Sequence, residues 1–259
     1  MISAGLIRRN AATVLKGILP QSMVIAGVFC LFSLFGIFVG QMISILCPAF
    51  ICTGVIFFIS ALCNIFLSTP LALGIQRWVW RLTGGADDSL RTVFYAFGAG
   101  ENYRRALCFS LHYNLRLYAV RITFLPALFL NSKNLSEGLT FSAPDGVEAF
   151  LSAGAALLQM AGMFLYLFLA LRYFLAPYLL AGDDRLSPVE ALRLSFKIMR
   201  KRVGRLLGFS LGFIGWILLC MLILPILYVL PLIWISSGIY ARYLISDYNQ
   251  SLAGVFLYA

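Results

Sequence analysis

Four polar residues lie close together in an otherwise apolar stretch near the middle of the chain. They are His112, Asn114, Arg116 and Arg121. An arginine at the centre of a bilayer costs about 3 kcal/mol on insertion scales, so it needs a partner. The predicted apolar spans contain no Asp or Glu. The partners left are backbone carbonyls, tyrosine hydroxyls, water, or an anion such as a lipid phosphate, which arginine can bind with two parallel hydrogen bonds.

The spacing of these residues leaves three interpretations open. His112 and Arg116 are four residues apart and share a helix face, so with Arg121 they form a candidate anion or lipid contact. They can instead form a polar cluster that only stabilises the fold. In the third interpretation the membrane-crossing helix starts near Leu117, and Arg116 extends its guanidinium to the membrane interface.

A second group of cations follows a strong helix-start signal. Ser187 is a good N-cap, Pro188 suits the first helical position, and Glu190 can complete a capping box. An apolar stripe with steps of three and four residues comes next, consisting of Val189, Leu192, Phe196, Met199 and Val203. The sequence therefore predicts an amphipathic helix over residues 188–203.

The cations of this helix fall mainly outside the stripe. They are Arg193, Lys197, Arg200 and Lys201. A helix of this kind can lie in the headgroup plane with its cations toward anionic lipid. Its stripe can equally pack against other helices of the protein, and the sequence does not separate the two.

Motifs of enzyme chemistry are missing from the sequence. It contains no H-E-x-x-H, no G-x-S-x-G and no P-loop. The six cysteines show no C-x-x-C spacing. The acidic pairs Asp87-Asp88 and Asp183-Asp184 could hold a cation, but each lies in a glycine turn ahead of a predicted helix, where capping explains it. We predict no catalytic, cofactor-binding or metal-binding residue.

The C-terminal half carries a family resemblance. It rests on Ala176-Pro177-Tyr178-Leu179-Leu180-Ala181, on Ala191-Leu192, Ser195 and Met199, and above all on Leu211 with Phe213-Ile214-Gly215-Trp216. Over residues 170–245 the chain resembles the domain of unknown function nine-seven-five family of bacterial integral membrane proteins. The resemblance implies several membrane helices with both termini cytoplasmic, and it implies no activity.

Composition points to the same class of protein. Of 259 residues, 61% are hydrophobic and 12% are charged, whereas soluble domains carry about 25% charged residues. The formal net charge of +10 does not indicate a nucleic-acid partner, because cytoplasmic loops of membrane proteins collect Lys and Arg. We expect a single integral membrane domain over residues 1–259.

Six apolar stretches are long enough to span a bilayer, which takes about 20 helical residues. They run from Ile18 to Leu46, Ala49 to Leu73, Ala106 to Leu130, Ala149 to Leu180, Leu206 to Leu224 and Ile226 to Ile245. We expect residues 1–17 to be a basic arm and residues 247–259 a tail. Gly204, Gly208 and Gly212 predict close helix packing within the protomer or between two copies.

The basic residues orient this layout. They concentrate in residues 1–17, 74–105 and 181–205, whereas the predicted opposite side holds only Lys133. The bias predicts a multi-pass cell-membrane protein with both termini cytoplasmic.

The fold prediction is therefore an all-α polytopic membrane bundle of about six transmembrane helices with cytoplasmic interfacial amphipathic helices. The leading functional hypothesis is a non-enzymatic scaffold or interaction protein that contacts anionic lipid and can form helix-mediated homo-oligomers. A transporter of a small or lipid-like solute is the alternative, and an intramembrane lipid-modifying enzyme is the third.

Overall fold

The protein is mainly helical in the part that its computed structural model describes. This part comprises residues 4–46, 58–59, 61–86, 90–98, 100–123, 146–220 and 225–257. The link between the first two predicted spans, the predicted turn at Asp87-Asp88, and most of residues 131–147 between the third and fourth predicted spans lie outside it. An all-α fold agrees with the sequence prediction.

Eleven α-helices and two short turns of other helix types have both ends within the described chain. The helices are α1 (Ala4–Gly17), α2 (Leu19–Leu46), α3 (Thr69–Thr83), α4 (Tyr95–Gly98), α5 (Gly100–Thr123), α6 (Gly146–Arg172), α7 (Ala176–Gly182), α8 (Pro188–Met199), α9 (Val203–Leu211), α10 (Ile214–Leu219) and α11 (Ile226–Leu257). A π-helical turn, Asn64–Ser68, precedes α3, and a 3-10 turn, Leu90–Phe94, precedes α4.

Two helical segments are long and apolar enough to cross a membrane. They are Ala153–Gly182, which joins α6 to α7, and Ile226–Gln250 in α11. A third candidate is the pair formed by α1 and the first part of α2, Leu19–Phe35, which is bent by 99° between its two helices. A helix of this length covers the hydrocarbon core of a bilayer. The described chain thus holds two to three candidate membrane spans.

The N-terminal segment is not the arm expected from sequence but the amphipathic helix α1. Ile7, Ala11 and Leu15 lie on one face and are buried. Ala11 and Leu15 pack in one cluster with Leu232 and Ile235 of α11. Burial of this face explains why a basic segment folds onto the bundle, because a large apolar side chain such as Ile7 or Leu15 contributes about 1.5–3 kcal/mol when it is removed from water.

Helix α3 lies at the centre of the fold. It contacts α7, α11, α5 and the 3-10 turn, and its Leu71 and Trp78 are buried in the largest hydrophobic cluster. Gly74 lets the 3-10 turn approach so closely that an added Cβ would overlap the carbonyl oxygen of Val93. Gly238 of α11 similarly faces Val79 of α3.

Four other features differ from the prediction. The predicted fourth span is interrupted between Arg172 and Ala176, and the fifth between Leu211 and Ile214. The expected C-terminal tail is helical as far as Leu257, because α11 continues beyond the predicted end of the sixth span. The third predicted span belongs to a helix that starts at Gly100 and not near Leu117.

Candidate functional site

The helix-start signal at Ser187 forms as predicted. The Ser187 hydroxyl oxygen accepts a hydrogen bond from the Glu190 backbone N–H at 3.3 Å, and a Glu190 carboxylate oxygen accepts from the Ser187 N–H at 3.2 Å. These two bonds make the capping box, with Pro188 in the first turn. Helix α8 therefore starts at a position fixed by local sequence.

The apolar side of α8 packs on the protein. Its buried residues are Ala191, Leu192, Ser195, Ile198 and Met199. The Ser195 hydroxyl donates to the Arg172 carbonyl oxygen at 2.9 Å, across the break between α6 and α7. Burial of the predicted apolar stripe is confirmed at Leu192 and Met199, whereas Phe196, which belongs to the same stripe, is 37% exposed. The face is rotated because small Ala191 and Ser195 allow closer packing than Phe196.

The opposite side of α8 and its end carry the predicted cations. Arg193, Lys197, Arg200 and Lys201, here called the basic face, are all exposed. Arg193 lies near the carboxylate of Glu190. No ion pair engages the other three cations in the described part of the chain, in contrast to Arg202, which is 2.7 Å from Asp247. The basic face thus places positive charge on the exposed surface of the described chain.

Arg205, which was not among the predicted contact residues, follows the basic face in the chain. Arg205 lines a cavity of about 250 Å³ between α1, α9 and α11, here called the Arg205 pocket. Gly208 and the aromatic residues Phe209, Tyr240 and Tyr243 also line it. A guanidinium and tyrosine hydroxyls are donors that suit a phosphate oxygen. Its position after the basic helix, as one more cation of the same segment, is a signal that could have identified Arg205 as a contact residue.

The Arg205 pocket bears on the close helix packing predicted for Gly204, Gly208 and Gly212. An added Cβ at Gly204 or Gly208 would meet nothing within 4 Å, whereas at Gly212 it would approach the Arg8 side chain. Of the two predicted alternatives, close packing within the protomer is therefore not found at Gly204 and Gly208, and packing between two copies stays a prediction. Gly208 instead leaves room in the Arg205 pocket.

The acidic turn ahead of α8 binds two arginines. Arg77 of α3 donates from both Nη atoms to the two carboxylate oxygens of Asp184, at 2.6 and 3.0 Å. Arg105 of α5 donates to Asp184 at 3.1 Å and to the backbone oxygens of Asp183 and Leu186 at 2.6 and 2.7 Å. Asp184 is therefore an ion-pair centre and not only a turn residue, whereas Asp183 accepts from the Arg185 N–H as in a simple turn.

These contacts change the acidity of the turn. The hydrogen bond from Arg77, with a smaller contribution from Arg105, lowers the pKa of Asp184 below its ordinary value. The carboxylate is thus held in its charged form by charge-assisted hydrogen bonds. No group of three or more His, Cys, Asp or Glu side chains in the described chain could hold a metal ion.

His112, Arg116 and Arg121 are not brought together as an anion site by the described contacts. The His112 Nδ1 lies 2.8 Å from the Cys108 carbonyl oxygen, so it carries the proton that this contact needs. Arg116 is half-buried, with Nη1 3.5 Å from the Tyr173 hydroxyl and its guanidinium 5.6 Å from that ring. The side chain of Arg121 lies outside the described residues. A tyrosine hydroxyl is among the partners that the sequence predicted for these arginines.

A larger cavity lies inside the helix bundle. Its volume is about 410 Å³, and helices α2, α3, α5, α6, α7 and α11 and the π-helical turn contribute to its wall. Its polar lining includes Asn64, Ser68, Gln76, Tyr113, Tyr173 and Ser237, and none of its lining residues is charged. A space of this size can hold a small molecule.

Comparison with known proteins gives one match. A family model described as "Protein of unknown function (DUF975)" matches residues 7–248. Neither a curated protein nor a solved structure matches the chain.

Proposed function

The chain belongs to the DUF975 family of proteins of unknown function, and we propose that it is a non-enzymatic membrane protein that contacts anionic lipid. The observation that carries the proposal is the orientation of α8. Its apolar side is buried in the protein, while Arg193, Lys197, Arg200 and Lys201 are exposed. A helix fixed in this way holds its cations where lipid headgroups can reach them.

We propose six membrane spans with both termini and α8 on the cytoplasmic side. The concentration of Lys and Arg in residues 1–17, 74–105 and 181–205 supports this orientation. The 99° bend between α1 and α2 supports an interfacial position for α1. If α2 crosses the membrane, a helix bent by that angle lies near the membrane plane, as interfacial helices do.

The electrostatics of the basic face suit a lipid surface better than a solvated loop. Each Lys or Arg near an anionic leaflet contributes about 1 kcal/mol to binding. The Arg205 pocket adds a concave, partly open position where one phosphate could meet a guanidinium and tyrosine hydroxyls. The basic face would attract anionic lipid generally, and the pocket would retain a single molecule.

The experiment is native mass spectrometry of protein released from micelles with added phosphatidylglycerol or phosphatidylcholine. Replacing Arg193, Lys197, Arg200 and Lys201 together by Gln should reduce phosphatidylglycerol retention by about tenfold or more. The matched control exchanges Arg and Lys at the same four positions and keeps the charge, and it should retain lipid as the native protein does. Equal retention by the Gln variant would overturn the proposal.

A separate variant isolates the pocket. Gly208→Leu fills the space beside Arg205 without a change of charge. If one phospholipid is held there, the most tightly retained molecule should be lost from the mass spectrum while weaker binding to the basic face persists. An unchanged spectrum would restrict lipid contact to the basic face.

Passage of a small or lipid-like solute is a second candidate function, and the cavity inside the bundle favours it. The cavity is lined by helices from both halves of the chain. A dry and tightly packed bundle would have favoured a scaffold alone. The two functions are compatible, because the basic face and the cavity share none of their residues.

A further inference from the structure

The cavity inside the bundle has the chemistry of a binding site, which goes beyond contact with anionic lipid. We propose that it binds an uncharged molecule that carries a hydroxyl or amide group on an apolar body. The sixteen lining residues divide about evenly between apolar and neutral polar side chains. A ligand with both kinds of surface matches this wall, because binding pockets combine apolar walls with a few convergent polar groups.

A chain of hydrogen bonds fixes the polar wall. The Ser110 hydroxyl donates to the Ile65 carbonyl oxygen at 2.7 Å, within the π-helical turn. The buried Asn114 amide donates to Thr69 at 3.0 Å and to Ser110 at 3.2 Å, and the Thr69 hydroxyl donates to the Asn64 side-chain oxygen at 3.1 Å. The Asn64 oxygen is thereby occupied, and its NH₂ group remains a donor at the exposed rim of the cavity.

The π-helical turn is what places two polar side chains on this wall. Asn64 and Ser68 stand at its two ends, and both line the cavity. Turns of this type interrupt the regular helix bonding and are frequent at functional sites. Here the Ser110 hydroxyl satisfies one carbonyl of the turn, so α5 holds the irregular backbone in place. The wall is therefore built before a ligand arrives.

Gln76 and Ser68 supply groups that the protein itself does not use. Both line the cavity, and within the described residues neither side chain makes a hydrogen bond. The amide of Gln76 can donate and accept, and the hydroxyl of Ser68 can do the same. A polar group inside a bundle gains by hydrogen bonding to a ligand, because a polar group left without a partner in apolar surroundings is unfavourable.

The absence of charge from the wall determines which ligands fit. None of the residues lining the cavity is acidic or basic. Of the nearby charges, Arg77 binds Asp184, and Arg116 does not line the cavity but contacts the hydroxyl of the wall residue Tyr173 at 3.5 Å. An ion entering the cavity would lose its hydration without a counter-charge, which is strongly unfavourable. The aromatic pair Phe29 and Trp234, in edge contact at 5.4 Å, instead offers an apolar surface to the body of a neutral ligand.

The test uses two photoreactive probes of nearly the same size, diazirine-bearing octanol and diazirine-bearing octane. Both are applied to the full protein in micelles, and labelled residues are located by peptide mass spectrometry. The alcohol should label lining residues such as Tyr113 and Tyr173, and excess unlabelled octanol should compete. The hydrocarbon should label them about fivefold less, because it forms no hydrogen bond.

Variants test whether the hydroxyl of the probe forms its hydrogen bond with side chains of the cavity wall. Gln76→Leu should reduce labelling by the alcohol to the level of the hydrocarbon, whereas the matched change Gln21→Leu on the exposed side of α2 should not. Ser68→Ala is the milder second variant and should reduce the preference partly. Equal labelling by both probes in the native protein would overturn the proposal, and so would an unaltered preference in both cavity variants.

The outcome is independent of the lipid proposal. Retention of phosphatidylglycerol by the same cavity variants should match that of the native protein, because none of the altered residues belongs to the basic face or the Arg205 pocket. Loss of probe labelling with normal lipid retention would support the cavity assignment alone. A cavity that holds only water would show no competition by octanol, and this result would also contradict the proposal.

Discussion

Arg77 and Asp184 are 107 positions apart in the chain and meet in two parallel hydrogen bonds of 2.6 and 3.0 Å. The Arg77 guanidinium also lies 3.7 Å from the centre of the Tyr95 ring. Arg105 joins the same carboxylate from α5. Because Asp184 stands three residues before the cap of α8, this contact ties the start of the basic helix to α3 and α5.

The first prediction concerns this ion-pair centre. Asp184→Asn should destabilise the protein by about 1 kcal/mol, because the carboxylate is largely exposed while the two guanidinium groups are mostly buried. Asp183→Asn removes the same charge from the neighbouring position, where the described side-chain contact is with the Arg185 N–H and Arg105 binds only the backbone oxygen. Thermal unfolding in micelles should show a larger loss for Asp184→Asn, and equal losses would mean that the arginines contribute nothing beyond net charge.

The second prediction follows from the acidity of Asp184. The hydrogen bond from Arg77 lowers the pKa of Asp184 in the folded protein. A lowered carboxylate pKa stabilises the fold above the unfolded-state value of about 3.9, and the contribution is lost as the pH falls through the folded-state pKa. The stability difference between native protein and Asp184→Asn should thus be constant from pH 7 to pH 5 and shrink below about pH 4. A difference that grows on acidification would contradict this assignment.

The third prediction concerns the close approach at α3. Gly74→Ala should destabilise by at least about 3 kcal/mol, because the added methyl overlaps backbone and not a movable side chain. Gly98→Ala is the matched control, since an added Cβ there meets nothing within 4 Å. The yield of monodisperse protein and its unfolding temperature would measure the difference. Similar behaviour of the two variants would show that the 3-10 turn can move away.

Features that depend on residues close together in the chain were predictable from the sequence. The capping box between Ser187 and Glu190 depends on four consecutive residues, and it forms as predicted. The helical fold likewise follows from long apolar stretches, which need no knowledge of tertiary contacts. Burial of Leu192 and Met199 also agrees with their spacing.

Features that depend on distant contacts were not predictable. Nothing near Asp184 in sequence selects Arg77 from the other arginines of its segment, because the choice is made by the packing of α3 on α7. The rotation of α8 depends on the fit of Ser195 against the Arg172 carbonyl.

The amphipathic pattern of Ile7, Ala11 and Leu15, in contrast, is a local signal that could have identified α1 as a helix.

The fourth prediction tests orientation. In a cysteine-free background, Lys201→Cys should be labelled by an impermeant maleimide only after the cytoplasmic side is opened. Lys201 is exposed and lies in the segment richest in basic residues, which the positive-inside rule places in the cytoplasm. Asn134→Cys, in the predicted external loop, should be labelled in intact cells. Labelling of Lys201→Cys from outside would reverse the proposed topology.

The fifth prediction concerns the attachment of α1. Arg8 donates to the carbonyl oxygen of Gly212 at 2.8 Å, where α9 ends, and its guanidinium lies 5.8 Å from the Phe213 ring. A cation that binds the last carbonyls of a helix stabilises that end, so Arg8→Leu should weaken the attachment of α1, whose apolar face stays packed on α11, and raise amide hydrogen exchange over residues 4–17 by about tenfold. Arg9→Leu removes the same charge from the exposed side of α1 and should leave exchange unchanged. An equal increase in both variants would show that α1 is held by general charge attraction and not by the Gly212 contact.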